Sequence, residues 1–318
     1  MFIYSADRSY LPITCLSIAS LARFASTKPE VLLLVHDLTP QHYERIAGFF
    51  ASINANVQIA NIDPAPFTPV CESRRQSPAK FAPLQWQRYL TRIPERLIYV
   101  DSDTRIVADT DALFAMDLGD APLAAVHDSA VISDDRVRRL CRKLSIPEDA
   151  GYFNSGLLVI DTAAWLREDI GERALQILDK EQHVLTWNDQ CALNKVLAGN
   201  WKPLPFAWNK IAGSAPSEWP ERMVHFAGTY KPWTVGILSH LRLMDQLVGR
   251  KHIDWYARTA PQMNWPGFYN GWQQTRTSAW SMTALFGEHL SGHLRDHLAR
   301  PSSPHLKRFV ADHPELVQ

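Results

Sequence analysis

The sequence is poor in cysteine, has no excess of either charge and contains no long apolar run, and each absence excludes a class of protein. The four cysteines are widely scattered and form no CxxC pair, which argues against a disulfide framework and against a thiolate metal site. The 33 basic residues balance 33 acidic ones, so we expect no binding of nucleic acid through bulk charge. No stretch approaches about 18 uninterrupted apolar residues, so no segment is predicted to span a membrane.

The composition predicts an ordinary globular protein of the cytoplasm. With 318 residues, 46% apolar and 21% charged, the chain can form one large domain or a domain with an appendage. It starts with a strand-like segment, without a charged region ahead of a long apolar core, so we expect no secretory signal. We therefore expect a cytoplasmic protein, with peripheral contact to the inner membrane face as an open alternative.

The first half of the chain alternates strand-like and helix-like segments. This β-α-β-α-β order predicts an α/β fold with a mostly parallel sheet and helices on both faces. The predicted strands are residues 2–5, 31–36, 57–61, 97–100, 123–127, 156–160 and 224–226. The predicted helices are residues 10–23, a segment that starts at Thr39-Pro40, 77–90 and 188–197.

Two aspartates, Asp101 and Asp103, follow the apolar run at residues 97–100. The carboxyl end of a buried strand is where open α/β sheets bind their ligands. Two converging carboxylates repel each other unless a cation lies between them, and Mn²⁺ or Mg²⁺ would keep coordination sites for substrate phosphates. Asp-x-Asp alone is common, and a solvated turn is the alternative interpretation.

Two other segments place polar groups at predicted strand ends. At the end of the first strand, the backbone at Ala6 could approach a nucleoside base, Asp7 could accept from it and Tyr10 could stack on it. The alternative is a turn in which Asp7 caps a helix. Asn154 and Ser155 precede the strand at residues 156–160, where an amide could bind sugar hydroxyls, and a polar turn is the alternative there.

Two later segments carry further candidate side chains. Asn188-Asp189-Gln190 opens a predicted helix, either as part of a site or as an acidic helix start. His225 closes a short strand before Gly228 and Lys231. These residues could supply an imidazole metal ligand and a cation for phosphate, although a histidine at such a place is commonly a core residue.

Taken in order, these segments resemble glycosyltransferase family 8, the family of glycogenin and of bacterial lipopolysaccharide galactosyl- and glucosyltransferases. The resemblance covers roughly residues 1–235 and rests on SADRSY, LIYVDSDT, YFNSGLLVID, NDQCALN and VHFAGTYKPW. It implies a Rossmann-like nucleotide-diphospho-sugar transferase fold of the GT-A type. We predict a catalytic domain at residues 1–235 and a C-terminal helical appendage at 236–318 that contacts the acceptor or a membrane.

The resemblance implies a role for each candidate residue. Asp101, Asp103 and His225 would ligate Mn²⁺, or alternatively Mg²⁺, at the diphosphate of a UDP-sugar. Asp189 and Gln190 would be catalytic, with Asp189 bonding sugar hydroxyls and Gln190 lying at the anomeric carbon. The other implied substrate-binding residues are Ala6, Asp7 and Tyr10 at the uridine, Lys231 and Gly228 at the phosphates, and Ser102, Asp128, Asn154 and Ser155. A basic donor contact could come from Lys80 or Arg88, and Lys80 is preferred.

The implied reaction is retaining transfer of a hexose, glucose or galactose, from a UDP-sugar to a glycan or lipid-linked saccharide. The acceptor would attack on the face that the diphosphate leaves, and a covalent intermediate on Asp189 is the alternative. A metal-dependent sugar-nucleotide hydrolase and a non-catalytic sugar-nucleotide-binding protein are the rival functions. The intact set of two aspartates and His225 argues against the non-catalytic rival.

The C-terminal region has two features that permit more than one interpretation. Trp255, Trp265, Trp272 and Trp280 would either face a membrane or pack the appendage onto the main domain. His289, His293 and His297 share one helical stripe, which could be a metal site but is commonly a solvated face.

Overall fold

The computed structural model describes residues 1–74, 76–132, 135–147, 149–181, 185–216, 218–228, 231–233, 248–265 and 303–317. Within these residues, two β-sheets are surrounded by helices. The strands are β1 (Phe2–Asp7), β2 (Glu30–His36), β3 (Asn56–Asn61), β4 (Arg96–Val100), β5 (Thr104–Ile106), β6 (Leu123–His127), β7 (Phe153–Asp161), β8 (Lys202–Leu204), β9 (Lys210–Ile211) and β10 (Met223–His225).

The larger sheet has seven strands in the order β3-β2-β1-β4-β7-β6-β8. Its neighbours pair in parallel except around β7, which runs antiparallel to both β4 and β6. The sheet is therefore mostly parallel, as predicted. A smaller sheet of order β5-β10-β9 lies beside it, and in it β10 pairs antiparallel with β5 and parallel with β9.

Helices cover both faces of the large sheet, because alternate side chains of its strands enter two separate apolar cores. In β1, Phe2 and Tyr4 belong to one core and Ile3 to the other. The α-helices are α1 (Leu11–Phe24), α2 (Pro40–Ala51), α3 (Thr68–Arg74), α4 (Asp111–Phe114), α5 (Ser129–Ile132), α6 (Asp135–Lys143), α7 (Thr162–Arg167), α8 (Ile170–Lys180), α9 (Asn188–Leu197), α10 (Arg250–Thr259) and α11 (Pro304–Asp312).

The single helix predicted for residues 77–90 is wrong. The segment forms two 3₁₀ helices, Pro78–Lys80 and Ala82–Tyr89, and Gln85 within the second has non-helical dihedral angles of −120° and 35°. Proline at 78 and at 83 removes backbone donors that an α-helix through this segment would need. The two short helices place Lys80 at the edge of the cavity described below.

The described part of the C-terminal region packs on the main domain. Trp255 of α10 is 6% exposed and Tyr256 is fully buried, both in the core that also contains Phe2 and Tyr4 of β1. Trp265 packs against the same core, so for Trp255 and Trp265 the packing alternative holds. Trp272, Trp280, His289, His293 and His297 lie outside the described residues. No helix in the described part is long and apolar enough to cross a bilayer.

Candidate active site

A cavity of about 800 Å³ opens where β1 and β4 end and α9 begins. It brings together every predicted site residue except Lys231, which lies beside it and contacts Asp103. Of the two candidates for the basic donor contact, Lys80 lines the cavity, whereas Arg88 is exposed outside its lining. The predicted residues that line the cavity are Ala6, Asp7, Tyr10, Lys80, Asp101, Ser102, Asp103, Asp128, Asn154, Ser155, Asp189, Gln190, His225 and Gly228.

Asp101, Asp103 and His225 converge on one side of this cavity. One potential ligand atom from each lies within 4.8 Å of the other two. Nε2 of His225 is 3.1 Å from Oδ1 of Asp103 and 3.6 Å from Oδ2 of Asp101. The pairing of β10 with β5 sets this geometry, since His225 lies opposite Thr104, the residue after Asp103. Carboxylate oxygens with one imidazole nitrogen form a donor set that suits Mn²⁺, and such a set fits a divalent cation between them.

The two carboxyl groups differ in how well the protein compensates their charge. Burial raises the pKa of Asp101, the nearby Asp103 adds to this rise, and His225 opposes it. Burial would also raise the pKa of Asp103, but His225 and Lys231 hold it well below its usual range. A divalent cation would compensate both anions, including the one that the protein alone leaves partly uncompensated.

His225 and Lys231 provide the positive charge that balances Asp103. Burial alone would lower the pKa of His225, but the two carboxylates outweigh burial and raise it. The ammonium group of Lys231 donates to Oδ2 of Asp103 at 2.5 Å and also to the carbonyl of Phe226. The predicted phosphate-binding lysine therefore reaches the metal-ligand cluster directly.

The end of β1 forms a corner of the cavity with an exposed aromatic ring. Oδ1 of Asp7 accepts hydrogen bonds from the backbone N–H groups of Ser9 at 2.9 Å and Tyr10 at 3.1 Å. These bonds form a turn ahead of α1, but Asp7 does not cap that helix, whose N-cap residue is Tyr10, and Asp7 lines the cavity. The Tyr10 side chain is 44% exposed. Oγ of Ser102 donates to the carbonyl of Ser5 at 3.0 Å and so ties the ends of β4 and β1 together.

Asp128, Asn154, Ser155 and Gln190 form a buried hydrogen-bond network on another side of the cavity. Each is between 5% and 7% exposed. Oδ2 of Asp128 accepts from Nδ2 of Asn154 and from Nε2 of Gln190, both at 3.1 Å. Oε1 of Gln190 accepts from Nδ2 of Asn154 at 3.1 Å and from the Ser155 N–H at 3.2 Å. These amides bond one another, which fixes their orientation before any ligand binds.

Asp189 lines the cavity close to this network and to Asp101. Its Oδ2 accepts from Oγ of Ser155 at 3.4 Å. Burial raises the pKa of Asp189 to about 6, Lys80 opposes the rise, and Asp101 adds to it. The cavity therefore holds a carboxyl group that titrates close to neutral pH.

Among the residues in or beside the cavity that were not predicted from the sequence, Tyr99, Trp187 and Asn209 make the most informative contacts. The Tyr99 hydroxyl donates to Oδ1 of Asp101 at 2.5 Å. Trp187 lines the cavity with 41% of its side chain exposed, and its ring makes an edge contact with Tyr152 at 6.2 Å between centroids. Asn209 contacts the ring of His225 from outside the cavity lining. Tyr99 stands two residues before Asp101, a strand spacing that could have suggested the contact.

The motifs and the cavity agree with one family of known proteins. A profile described as glycosyl transferase family 8 matches residues 1–235. The chain belongs to glycosyltransferase family 8. The matched range contains every predicted site residue, so the predicted family is confirmed and the enzyme class is glycosyltransferase.

Curated relatives carry names of the same class. Glycosyltransferase GlyF of Streptococcus pneumoniae is 24% identical over 318 aligned positions, which cover 94% of this chain and 74% of GlyF. General stress protein A of Bacillus subtilis is 25% identical over 232 residues, which cover 64% of this chain and 77% of that protein. Lipopolysaccharide 1,2-glucosyltransferase of Escherichia coli K12 is 31% identical over 154 residues, which cover 44% of each chain.

Solved structures show the same fold. The galactosyltransferase LgtC, solved in complex with donor and acceptor sugar analogs, has a TM-score of 0.67 and 19% identity to this chain. The similarity covers 82% of this chain and 95% of LgtC. The fold is therefore that of the GT-A glycosyltransferases, as predicted.

Proposed function

We propose that this protein is a retaining glycosyltransferase that moves a hexose, glucose or galactose, from a UDP-sugar to a saccharide or lipid-linked saccharide. The observation that carries the proposal is the juxtaposition, in one cavity, of the cluster of Asp101, Asp103 and His225 with Asp189 and Gln190. The first set suits a diphosphate held by a divalent cation. The second set lies where a sugar attached to that diphosphate would extend.

Asp101, Asp103 and His225 would hold Mn²⁺, or Mg²⁺ in its place. When bound, such a cation neutralises the negative charge that develops on the leaving diphosphate. The uncompensated charge on Asp101 and the position of Nε2 of His225 support this assignment. Each ligand comes from a rigid element or its immediate end, so the coordination geometry is fixed by the fold.

The donor nucleotide would occupy the corner at the end of β1. The exposed ring of Tyr10 offers a stacking face for uracil, and small Ala6 permits close approach of the backbone. Gly228 has a positive φ of 93° and open space beside its α-carbon, which would allow its backbone to approach the phosphates. Lys231 would exchange part of its contact with Asp103 for a phosphate oxygen, so that its charge acts on the leaving group.

The acceptor would attack on the face that the diphosphate leaves, with a covalent intermediate on Asp189 as the alternative. The side-chain oxygen of Gln190 accepts hydrogen bonds from Asn154 and Ser155, which would hold the amide in place beside the anomeric carbon. In the proposed step the acceptor oxygen bonds to the anomeric carbon while the carbon–diphosphate bond breaks. The leaving phosphate oxygen takes the acceptor proton, and the configuration is retained.

The donor sugar would lie beside Asp189, with the network of Asp128, Asn154 and Gln190 forming a preorganised wall. Every polar atom of Asn154 is hydrogen-bonded within the protein, so we assign it to orienting Asp128 and Gln190 as well as to sugar contact. The exposed face of Trp187 is available for an acceptor ring at the cavity rim. The predicted division at residue 235 and a membrane or acceptor role for residues 236–318 remain proposals.

A thermal-shift panel of nucleotide sugars with Mn²⁺ followed by product analysis tests this function. We expect UDP-glucose or UDP-galactose with Mn²⁺ to raise the melting temperature, because a ligand of the native state stabilises it. With an α-linked donor, the anomeric coupling in the proton NMR spectrum of fresh product should indicate an α linkage. A β linkage would contradict retention, and donor cleavage that no saccharide acceptor accelerates would instead support a hydrolase.

A further inference from the structure

The ring of His225 meets two buried amide oxygens on the side that faces away from the carboxylates. Its Nδ1 is 3.1 Å from Oδ1 of Asn154 and 3.1 Å from Oδ1 of Asn209. Asn154 is 6% exposed and Asn209 is 2% exposed. Because an amide oxygen can only accept, Nδ1 must carry the hydrogen in these contacts. With Nδ1 as the donor, Nε2 is the ring nitrogen left to bind a cation held between Asp101 and Asp103.

Neighbouring backbone fixes which atoms of these amides are oxygens. The backbone nitrogen of Gly156 lies 2.9 Å from one side-chain amide atom of Asn154. Because a backbone N–H can only donate, this atom of Asn154 must be its oxygen, Oδ1. Asn209 in turn donates from Nδ2 to this oxygen at 2.8 Å. The remaining amide atom of Asn209, its oxygen, therefore faces Nδ1 of His225. The hydrogen bonds thus run in one direction and select a single tautomer of the ring.

The backbone holds Asn209 and His225 in a fixed relation. Asn209 ends the 3₁₀ helix Phe206–Asn209 and immediately precedes β9, and β9 pairs with β10 so that Ile211 lies opposite His225. A backbone hydrogen bond of 2.9 Å from Ala212 to the His225 carbonyl continues this pairing. The backbone pairing of the small sheet therefore fixes the positions from which the two side chains make contact.

The His225 ring also has no room to turn. A Cβ placed at Gly156 would lie 2.5 Å from Cε1 of His225 and 2.9 Å from Oδ1 of Asn154. Such distances are well below contact, so the ring and this amide occupy the space that any side chain at position 156 would need. The ring therefore packs between Gly156 on β7 and Asn209, the residue immediately before β9.

We propose that Asn209 is a positioning residue for the metal centre, which keeps Nδ1 of His225 protonated and its Nε2 directed at the cation. The proposal rests on the proposed function, in which His225 ligates a divalent cation. Partners that accept from the second nitrogen of a metal-bound histidine fix its tautomer and orientation and raise its basicity. Removing such a partner typically weakens metal binding by about 10- to 100-fold.

The alternative is that Asn209 serves only to hydrogen-bond the buried amide of Asn154, without affecting the metal centre. A matched pair of variants distinguishes the two roles. Asn194 is also 2% exposed and also bonds protein groups with its amide, but these are the backbone of Phe153 and of Gln190 and not His225. Both Asn209→Ala and Asn194→Ala should lower the melting temperature. Only Asn209→Ala should weaken Mn²⁺ binding, measured by electron paramagnetic resonance of free Mn²⁺ with UDP present.

We expect about a 10- to 100-fold rise in the Mn²⁺ dissociation constant for Asn209→Ala and no change for Asn194→Ala. Asn209→Asp keeps an acceptor for Nδ1 but turns the contact with the Asn154 oxygen into one between two acceptors, so it should restore part of the affinity. Unchanged affinity in Asn209→Ala would overturn the proposal. If the unmodified protein itself fails to bind Mn²⁺ with UDP, the proposed function fails, whatever Asn209 does.

A measurement on the unmodified protein covers the case in which Asn209→Ala does not fold. Ring ¹⁵N shifts of His225 in the protein loaded with diamagnetic Mg²⁺ and UDP report which nitrogen carries the hydrogen. Protonation at Nδ1, with Nε2 free of hydrogen, is expected. A ring with hydrogen on Nε2 would overturn the proposal, because that nitrogen could not then bind the cation.

Discussion

At one end of the cavity, which we call the metal end, Asp101, Asp103 and Lys231 are charged, and Asp101 is only partly compensated. At the other end, the sugar end, Asn154 and Gln190 bond each other and Asp128 in a closed, buried set. In the proposed function a cation would complete the metal end, whereas hydrogen bonds within the protein already satisfy the side chains of the sugar end. His225 and Asn154 join the two ends through a hydrogen bond of 3.1 Å.

The difference suggests that the two ends contribute to the reaction in different ways. Groups at the metal end would gain most of their stabilisation when the cation and diphosphate arrive, so they should govern donor binding strongly. Groups at the sugar end are oriented in advance, which avoids the cost of reorganisation during the reaction. Substitutions at the metal end should thus act chiefly on binding of cation and nucleotide, and those at the sugar end on the rate and on stability.

The largest expected effect comes from Asp103→Asn at the metal end. It keeps the size of the side chain but removes an anionic ligand and the partner of Lys231. We expect Mn²⁺-dependent UDP binding to be lost in calorimetric titration and transfer to fall by about 1000-fold or more. The exposed Asp120→Asn serves as the charge-matched control. Native-like affinity of Asp103→Asn for UDP with Mn²⁺ would show that this cluster does not bind the cation.

A smaller effect should follow from Gly156→Ala, which disturbs the junction between the two ends. The added methyl group would collide with the His225 ring and with Asn154, and overpacking of this kind costs about 1–3 kcal/mol of stability. Displacement of Nε2 should weaken Mn²⁺ binding by about 10-fold or more. Gly48→Ala in α2 is the control, because a Cβ there meets no atom within 4 Å and should be harmless. Wild-type Mn²⁺ affinity in Gly156→Ala would mean that the ring is less constrained than its contacts indicate.

The sequence was sufficient to predict that Asp101, Asp103 and His225 come together, because the segments that carry them resemble those of the family. It was also sufficient to place Asp189 and Gln190 at a helix start. Asn209 could not be predicted, since its contact with His225, 16 positions away, exists only because β9 pairs with β10. The break in the helix predicted for residues 77–90 was foreseeable from Pro78 and Pro83, each of which removes a backbone donor.

Asp189→Asn should raise the free energy of unfolding at neutral pH while lowering transfer activity. Burial raises the pKa of Asp189 from 3.8 to about 6, so the folded state binds this proton more tightly than the unfolded state. The free energy of unfolding therefore falls as pH rises from about 4 to 6, and the carboxylate destabilises the fold above that range. We expect Asp189→Asn to be about 1–2 kcal/mol more stable than the unmodified protein at pH 7.5, a gain limited by partial solvation of the side chain. At pH 4 we expect little difference, because the Asp189 carboxyl of the folded protein is then protonated.

Chemical denaturation of both proteins at the two pH values measures this difference, and transfer activity should drop in the same variant. Asp120→Asn, an exposed substitution outside the cavity lining, controls for the loss of one negative charge. A stability gain that is equal at pH 4 and pH 7.5 would contradict a raised pKa for Asp189.

The smallest expected effect concerns Trp187 at the cavity rim, where an exposed indole could stack on an acceptor ring. Trp187→Ala should raise the KM for the acceptor by about 3- to 10-fold, the equivalent of roughly 0.5–1.5 kcal/mol for an aromatic contact. Binding of UDP with Mn²⁺ should be unchanged, because the described ring contact of Trp187 is with Tyr152 and not with Asp101, Asp103 or His225. Trp187→Phe should recover part of the loss, and Ile93→Ala, which removes a side chain of similar exposure outside the cavity lining, should have no effect. If Trp187→Ala instead weakens UDP binding and leaves the acceptor KM unaltered, the indole contacts the donor, and the acceptor must enter from another side of the cavity.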